Sequence, residues 1–405
     1  MGKSNLFTGQ PIFSQLLKLI PITLVHDVAR EHGSNRYYKV FKAHNHLVRM
    51  LYASFLGCTS LREITTGLQA NAGRLGHLRL ISAPRRSTLS DANRDRDASF
   101  FEDLFHRLYN LHFLPDSRFQ LRGEEKRLFL IDSTTISLFS DIMKGAGMAS
   151  ASGKKKGGVK AHMVVDSRHD LPCFIFITEA KENDRAIFPK VQLPKNSVVV
   201  FDKGYINYHQ FQTWTKDEVT WVTRLNKGSA FEELISHPVD SNAMEQGILS
   251  DKRVKLGRPS NSKKSPVIEA RIVEFFDKEK NRVFHFITND HESDALQITQ
   301  LYKQRWQIEI LFKRIKQRYP LRYFLGENPN AIKIQIWAAM ICDLLVKIIQ
   351  QKVNGIGKRM WSYANISAMI KHHLMTYIKL IDFLMNPEKA LHNYHPPNNQ
   401  TYLNF

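Results

Sequence analysis

Two aspartates each follow a short apolar run that is typical of a buried strand. Asp132 comes directly after residues 127–131, and Asp202 comes directly after residues 197–201. Polar groups at the carboxyl ends of core strands converge on one edge of a sheet. Two carboxylates held there repel each other unless a cation lies between them. Mg²⁺, for which Mn²⁺ can substitute, prefers oxygen ligands and is the natural cation. For either residue alone, a turn-forming aspartate is the simpler alternative.

A third acid, Glu309, lies in a segment with helical periodicity, residues 301–316. At about 100° per residue, Tyr302, Arg305, Glu309 and Lys316 fall on one narrow stripe of the predicted helix. The alternative is an ordinary amphipathic helix with an i,i+4 pair between Arg305 and Glu309. That alternative does not explain why Tyr302 and Lys316 share the stripe.

Together these side chains predict cleavage of phosphodiester bonds. Three carboxylates can hold two metal ions, and such a pair activates a water or hydroxyl and stabilises the leaving oxygen. Arg305 and Lys316 can bind DNA phosphates beside the cut. Tyr302 can hydrogen-bond a phosphate or stack on a base.

Three segments taken together resemble the signatures of a known family. They are Asp-Ser-Thr at 132–134, Asp-Lys-Gly-Tyr at 202–205, and Tyr-x2-Arg-x3-Glu-x6-Lys at 302–316. The combination is similar to the D, D-[RK]-G-Y and Y-R-E-K signatures of bacterial insertion-sequence transposases of the DDE cut-and-paste type, in the IS four family. The resemblance spans residues 125–350, and residues 5–13 resemble the N-terminal helical domain of many members.

The resemblance implies an RNase H-like catalytic core with a β-rich insertion, preceded by an all-α DNA-binding domain. The predicted element order after residue 125, β-β-β-α-β-α-β, independently favours a mixed α/β sheet with helices beside it. By resemblance, Asp132, Asp202 and Glu309 are the catalytic, metal-binding triad. The resemblance further implies that Tyr302, Arg305 and Lys316 contact the transposon end. Lys203 and Tyr205, which follow Asp202, are further candidate DNA-binding residues.

The resemblance also implies a reaction path. A 3′-hydroxyl freed by a first nick attacks the opposite strand and closes a hairpin on the transposon end, which is then reopened and joined to target DNA. A homodimer is expected to pair two ends and to cut each in trans. Relatives can hold a flipped base with a Trp of the insertion, but none of the 5 Trp lies within residues 226–285. Phe275, Phe276 or Phe284 can take that place by stacking.

Changes of pattern along the chain predict four regions. They are a helical DNA-binding domain at 1–120, a catalytic core at 121–225 and 286–350, a β-rich insertion at 226–285, and a C-terminal helical region and tail at 351–405. Inside the insertion, strands are predicted at 267–276 and 282–288. The basic residues 252–258 and 263–264 are predicted to form a solvated loop that can bind phosphate, and a solvated face without such contact is an equal alternative.

A short basic helix is predicted within residues 84–96. Ser87 is expected to be its N-cap, because a serine oxygen can accept a hydrogen bond from a free amide of the first turn. Such a helix suits a DNA groove, and an ordinary exposed helix is the alternative. Its candidate DNA-binding residues are Arg85, Arg86, Asn93 and Arg94.

The charge of the chain favours a polyanionic partner. It has 58 Lys+Arg against 38 Asp+Glu, a formal net charge of +20. Double-stranded DNA, as terminal inverted repeats and as target, is the expected partner. A membrane partner is not expected, because no strongly amphipathic basic helix is present and Asp343 and Lys347 interrupt the longest apolar stretch. A basic protein without such a partner remains the simpler alternative.

The cysteines and the N-terminus bear on location. The 3 Cys lie far apart and form no C-x-x-C motif, so neither a disulfide framework nor a zinc ribbon is expected. The first residues have no apolar stretch of the signal-peptide kind. A bacterial cytoplasmic, nucleoid-associated location is therefore expected.

The sequence leaves three functions to compare. The first is a metal-dependent DNA transposase. The second is a catalytically inactive, transposase-derived DNA-binding or regulatory protein, and the third is a DNA-repair nuclease with a similar core. The intact set of three acids favours the first over the second. The stripe from Tyr302 to Lys316 argues against the third.

Overall fold

Among the described residues, helices lie toward both ends of the chain and the strands lie between them. The computed structural model describes residues 9–114, 126–137, 158–257, 266–319, 321, 323–357 and 359–392. The α-helices in these ranges are α1 Ile12–Leu17, α2 Ile22–Glu31, α3 Ala43–Leu56, α4 Leu61–Ala70, α5 Arg86–Asp95, α6 Ser99–Phe113, α7 Tyr208–Lys216, α8 Ser241–Glu245, α9 Ala295–Gln304, α10 Trp306–Arg318, α11 Pro329–Ile356, α12 Tyr363–His372, α13 Leu380–Met385 and α14 Pro387–His392. The strands are β1 Leu128–Ser137, β2 Gly158–Asp166, β3 Leu171–Glu179, β4 Val198–Phe201, β5 Thr220–Arg224, β6 Phe231–His237, β7 Ile248–Leu256, β8 Ile268–Asp277 and β9 Arg282–Thr288.

The chain divides into two compact units. The helical unit combines the segment up to Leu114 with the segment from Ile315 onward, and the sheet unit is the stretch between them. The division falls inside α10. The expected catalytic core reached residue 350, whereas the structure assigns α11 to the same unit as the N-terminal helices.

The helical unit is built around α11. This helix packs against α3, α5 and α6, and its side chains are buried along most of its length. The ring centroids of Phe105 on α6 and Trp337 on α11 lie 5.5 Å apart. A helix whose apolar residues cover most of its circumference must be covered by neighbouring helices, which explains why α11 packs among the N-terminal helices. Within the described residues, no helix combines the length and the apolarity that a membrane crossing needs.

The sheet unit holds one nine-stranded mixed sheet, in the order β3-β2-β1-β4-β5-β9-β8-β7-β6. Strand β1 runs parallel to β4, which runs parallel to β5, while β2 is antiparallel to β1 and to β3. All four residues of β4 are buried, as expected for an apolar strand that is covered on both faces. The expected mixed α/β fold with a helical N-terminal region is confirmed.

Strands β6 to β9 extend this sheet as an antiparallel meander, with β9 paired to β5. Strands β8 and β9 confirm the two predicted for this stretch. The prediction of a basic loop over 252–256 is wrong, because these residues belong to β7. Val254 and Leu256 are buried there, while Lys252 and Arg253 pair with glutamates of neighbouring strands. Residues 258 and 263–264 lie outside the described ranges.

The start of α5 also differs from the prediction. The helix begins at Arg86, and the flanking residue is Arg85, which makes no capping hydrogen bond through its side chain. Ser87 therefore lies inside the first turn, and its assignment as N-cap is wrong. Caps do occur where Ser, Asn or Asp precedes other helices, as Ser60 does for α4 and Asn328 does for α11.

His46 gives the helical unit a specific sensitivity to acid. It is fully buried on α3, with Nε2 2.7 Å from Oδ1 of Asn93. Burial lowers the pKa of His46 to about 3, and the charges of Arg96 and Arg49 act in the same direction. Below about pH 6.5 the unfolded chain takes up a proton at this residue while the folded chain does not. Stability is therefore lost as the pH falls from about 6.5 toward 3, by about 1.4 kcal/mol per pH unit.

Urea unfolding at pH 7 and pH 5 checks this expectation. Between these two pH values, His46→Gln should lose about 2 kcal/mol less unfolding free energy than the wild type. Equal losses in the two proteins would contradict the assignment of this acid sensitivity to His46.

Candidate active site

Strand pairing brings Asp132 and Asp202 together. In the parallel pairing of β1 and β4, Ile131 lies opposite Phe201, so the next residues on the two strands are Asp132 and Asp202. Residues in register on neighbouring strands project from the same face of a sheet. Asp132 was expected to end its strand, but β1 continues beside β2 as far as Ser137. The edge at which the two acids lie is created by the end of β4.

The predicted helix over residues 301–316 is broken in two. Tyr302 lies in the last turn of α9, Arg305 lies at the junction, and Glu309 lies in the first turn of α10. At the break the backbone bonds tighten, since the amide of Arg305 donates to the carbonyl of Tyr302 and the amide of Ile308 donates to the carbonyl of Arg305. The stripe seen in the sequence is therefore shared between two helices.

Arg305 links the first and third acids. Its Nη1 donates to Oδ2 of Asp132 at 2.7 Å, and its Nη2 donates to Oε1 of Glu309 at 2.8 Å. Asp202 accepts a hydrogen bond of 2.6 Å from Nη2 of Arg224 at the end of β5, and one of 3.4 Å from the hydroxyl of Tyr302. Three carboxylates and two guanidinium groups thus form one cluster with a formal charge of −1.

The protonation of the two aspartates differs. Burial raises the pKa of Asp132 to about 6, and the negative charges of Asp202 and Glu309 add to that effect. Burial also acts to raise the pKa of Asp202, but the hydrogen bond and charge of Arg224 outweigh it and bring that pKa below its ordinary value. The pKa of Asp132 is therefore raised although Arg305 and the amide of Ser133 act to lower it, because burial outweighs both.

The donor set fits a hard divalent cation, because carboxylate oxygens are the ligands that such ions prefer. Among the described residues, however, no three side chains of His, Cys, Asp or Glu are arranged to hold a metal ion as they stand. The arginines already occupy the carboxylates, through the contacts of Arg305 with Asp132 and Glu309 and of Arg224 with Asp202. One oxygen of each of the three carboxylates is thus bonded to a guanidinium group.

The other residues expected to bind DNA divide into exposed and buried ones. Lys203, Lys316, Arg85 and Arg86 are exposed. Tyr205 is buried, with its hydroxyl 3.4 Å from Nδ1 of His162. The side chain of Tyr205 therefore lies in the interior of the DNA-free protein, and its expected contact with DNA stays a prediction.

The candidates on α5 divide in the same way. Asn93 is buried against His46, on a face of α5 that it shares with Leu89. Its expected contact with DNA stays a prediction. Arg94 is exposed but forms ion pairs with Asp91 and Asp95, so its charge is already partly neutralised.

Sequence reasoning missed Arg224. A signal for it existed, because Arg224 follows the predicted strand 219–223 as Asp202 follows 197–201. The parallel pairing of β4 with β5 has Val200 opposite Val222, which brings Arg224 beside Asp202.

A second polar cluster around Asp184 was also missed. Oδ1 of Asp184 accepts hydrogen bonds from Oγ of Ser133 at 2.9 Å and from Nζ of Lys160 at 3.1 Å. The amide of Ser133 in turn donates to Oδ1 of Asp132 at 2.8 Å. This cluster supports the strand segment that carries Asp132.

Comparison with protein families gives two matches. The family described as the transposase DDE domain matches residues 123–345, which is more than half of the chain. A second family, described as a domain of unknown function (DUF4372), matches residues 8–79.

Curated relatives point in the same direction. The protein named as transposase y4zB of Sinorhizobium fredii is 32% identical over 268 residues, 66% of this chain and 72% of that protein. A protein of Synechocystis, named as a transposase for insertion sequence element IS4SA, is 26% identical over 65% of this chain and 71% of its own length. The transposase InsG for insertion sequence element IS4 of Escherichia coli is 26% identical over 48% of this chain and 45% of its own length.

One solved structure is also similar. It is the cryo-EM structure of the piggyBac transposase synaptic complex with hairpin DNA, with a TM-score of 0.48 and 11% identity over 98% of this chain and 84% of that one. A likeness at that level carries no argument about this chain.

Proposed function

Since the chain belongs to the family of transposases with a DDE domain, whose members cleave DNA and transfer strands, we propose that Asp132, Asp202 and Glu309 are its catalytic acids. The observation that carries the proposal is the register of β1 with β4, which sets two of the acids side by side. Arg305, bonded to both Asp132 and Glu309, ties the third acid to them. The strand order β3-β2-β1-β4-β5 supports an RNase H-like core, with β6 to β9 as its insertion.

The three acids would hold Mg²⁺, with Mn²⁺ as a substitute. When bound there, the ion activates the attacking water or hydroxyl and stabilises the leaving oxygen. Asp132 and Asp202 lie on adjacent strands of a buried sheet, so the fold holds their backbones in fixed positions. The amide of Ser133 donates to Asp132 and orients its carboxylate.

The basic side chains around the acids would bind the DNA backbone. Lys203 directly follows Asp202, and Lys316 lies about two turns beyond Glu309 on α10. Both are exposed, and within the described ranges neither forms an ion pair. Arg305 and Tyr302 lie beside the acids, where a phosphate at the cleavage position would reach them.

Phe284 is the best candidate for holding an unstacked base. Its half-buried ring stacks on Phe286 with 6.0 Å between the centroids, and Phe286 contacts Tyr302 at 4.9 Å. The guanidinium groups of Arg282 and Arg224 lie 5.3 and 5.9 Å from the centre of the Phe284 ring. An aromatic face beside cations suits a base and its phosphate, which supports a hairpin step beside the acids.

The hairpin step predicts a selective defect for Phe284→Ala. The first nick should proceed, whereas hairpin formation on a pre-nicked end should fall by about 5- to 150-fold, because stacking on a base contributes roughly 1–3 kcal/mol. Phe284→Trp should retain hairpin formation. Denaturing gels follow both steps, and an Ala variant with normal hairpin yield would remove Phe284 from this role.

The exposed arginines at the start of α5 support DNA binding by the helical unit. The double variant Arg85→Ala, Arg86→Ala should weaken binding to duplex DNA and lower the slope of log K against log salt by about two. Arg62→Ala, which removes another exposed arginine from the same unit, is the matched control. Fluorescence anisotropy across a salt series measures both. An unchanged slope in the double variant would contradict phosphate contact by Arg85 and Arg86.

Two further features complete the proposal. A homodimer would pair the two terminal repeats and join them to target DNA. The DNA substrate would place the protein at the nucleoid of the bacterial cytoplasm.

Cleavage of the DNA that flanks the gene tests the proposed function. A plasmid that carries both flanks should be cut at the flank boundaries in Mg²⁺, and a pre-nicked end should yield a hairpin. Specific binding without any cutting in Mg²⁺ or Mn²⁺ would instead support a catalytically inactive DNA-binding protein.

A further inference from the structure

Two arginines act as built-in counterions of the acid cluster. Arg224 bonds Asp202, and Arg305 bonds Asp132 and Glu309. With both in place, the three carboxylates retain a formal charge of only −1. A divalent cation would therefore meet two guanidinium groups at the carboxylates that it needs. In this state the cluster is poorly suited to attract such an ion.

Building on the proposed catalytic role of the acids, we propose that Arg224, together with Arg305, leaves its carboxylate for a DNA phosphate, so that divalent cations bind the acids tightly only when DNA is present. A guanidinium fork binds carboxylates and phosphates with the same bidentate geometry, so the exchange replaces one good partner with another. After the exchange the cluster has a formal charge of −3. Arg224 is thereby a positioning residue that lies outside the Y-R-E-K stripe.

The surroundings of Arg224 favour such an exchange. Its Nε is buried and has no hydrogen-bond partner in the described part of the chain, so one donor of the fork is unsatisfied in the DNA-free protein. Buried donors without partners are unfavourable, and an arrangement that satisfies this donor would be preferred. Arg224 is also partly exposed at the edge of the cluster.

The ring of Tyr302 lies within cation–π distance of both arginines. The guanidinium carbons of Arg224 and Arg305 lie 5.6 and 6.0 Å from the centre of its ring. A cation retains its attraction to an aromatic face while its hydrogen-bond partner changes. Each side chain can therefore release a carboxylate without leaving the site.

The exchange couples two binding events. If DNA raises the affinity of the acids for a divalent cation, that cation must raise the affinity of the protein for DNA by the same factor. The consequence for the protein is that metal-dependent cleavage chemistry is assembled only on a bound substrate.

Mn²⁺ binding to the DNA-free protein tests whether Arg224 and Arg305 weaken cation binding at the acids. Electron paramagnetic resonance of free Mn²⁺ measures the affinity. Arg224→Gln should bind Mn²⁺ at least about tenfold more tightly than the wild type, because a competing cation is gone. Arg305→Gln should shift the affinity in the same direction, which keeps the test valid if one variant folds poorly. Arg253→Gln is the matched control, since it removes an exposed arginine that pairs with Glu269 in the same unit.

Binding of the protein to a short DNA duplex without Mn²⁺ tests whether Arg224 contacts a DNA phosphate. Arg224→Gln should bind DNA more weakly, with the slope of log K against log salt lower by about one, while Arg224→Lys should keep the slope. Opposite effects on Mn²⁺ and DNA affinity are not expected from a residue that only stabilises the fold. Equal Mn²⁺ affinities in the wild type and both Gln variants, or an unchanged salt slope, would overturn the proposal.

The Asp202→Asn variant separates this proposal from the proposed function. If Asp202→Asn binds Mn²⁺ as the wild type does, both with DNA and without it, the acids are not the metal site and the proposed function itself fails. If Asp202→Asn removes Mn²⁺ binding while Arg224→Gln changes nothing, the acids remain the metal site and only the role of Arg224 is overturned.

Discussion

Replacing Asp132 with asparagine is expected to reduce DNA cleavage by at least about 10³-fold and to leave DNA binding within a few-fold of the wild type. The substitution keeps the size of the side chain and removes the negative charge that a divalent cation requires. Asp132 is also the acid at the centre of the cluster, bonded to Arg305 and coupled to Asp202 and Glu309. Single-turnover cleavage of a labelled end in Mg²⁺ measures the loss.

The same defect should follow from Asp202→Asn and from Glu309→Gln, because all three carboxylates are assigned to one metal centre. Glu269→Gln is the matched control, since it removes a carboxylate from an exposed pair in the same sheet unit and should leave cleavage unchanged. If any of the three acid variants nicked DNA at a wild-type rate in Mg²⁺, the assignment of that residue would be wrong.

The second large effect concerns the buried ion pair between Arg271 and Asp251. Arg271→Met should lower the free energy of unfolding by about 3–5 kcal/mol, because the substitution leaves a buried carboxylate without its partner. The pair is bidentate, with distances of 2.8 and 2.7 Å, and both side chains are almost fully buried. Arg271 also donates to the carbonyls of Asp290 and Ser293, in the loop that leads into α9.

Urea unfolding monitored by circular dichroism tests this prediction. Arg253→Gln, which breaks an exposed ion pair on the same sheet, should cost less than about 1 kcal/mol. The double variant Arg271→Met, Asp251→Leu should recover part of the lost stability, because both charges are then absent. A loss of under about 1 kcal/mol for Arg271→Met would show that the pair contributes little.

The apolar runs of the sequence identified most of the sheet correctly. The run at 198–201 is short, continuous and rich in Val, which is typical of a strand buried on both faces. The polar residue that follows it, Asp202, could therefore be placed at a sheet edge. The residue types alone were sufficient to predict this strand, because an unbroken run of Val and Phe is typical of a strand with no exposed face.

The features that depend on distant partners could not be predicted in this way. The segment from Tyr302 to Lys316 has unbroken helical periodicity, yet the helix breaks at Arg305, whose side chain bonds Asp132 from a different part of the chain. The sequence marks Arg224 only as a residue after a strand, and the pairing of β5 with β4 is what places it beside Asp202. The bonds of Tyr302 with Asp202 and of Arg305 with Asp132 join residues 100 and 173 positions apart, and no local pattern contains them.

Charge patterns were the least reliable guide. The basic segment 252–256 suggested a solvated loop, but its charges alternate with Val254 and Leu256, which is the period of a strand with one buried face. Asn93 was grouped with arginines that suit a DNA groove, yet it lies on the buried face of α5. In both segments the apolar neighbours, rather than the charges, determined the secondary structure and the face that is buried.

The most direct test of the central claim is a structure of the protein with bound end DNA and Mn²⁺, in which anomalous scattering locates the metal. The account predicts Mn²⁺ coordinated by Asp132, Asp202 and Glu309 beside the scissile phosphate, with Arg224 and Arg305 moved from the carboxylates to DNA phosphates. Mn²⁺ located away from these three acids, with both arginines still paired as they are in the free protein, would contradict it.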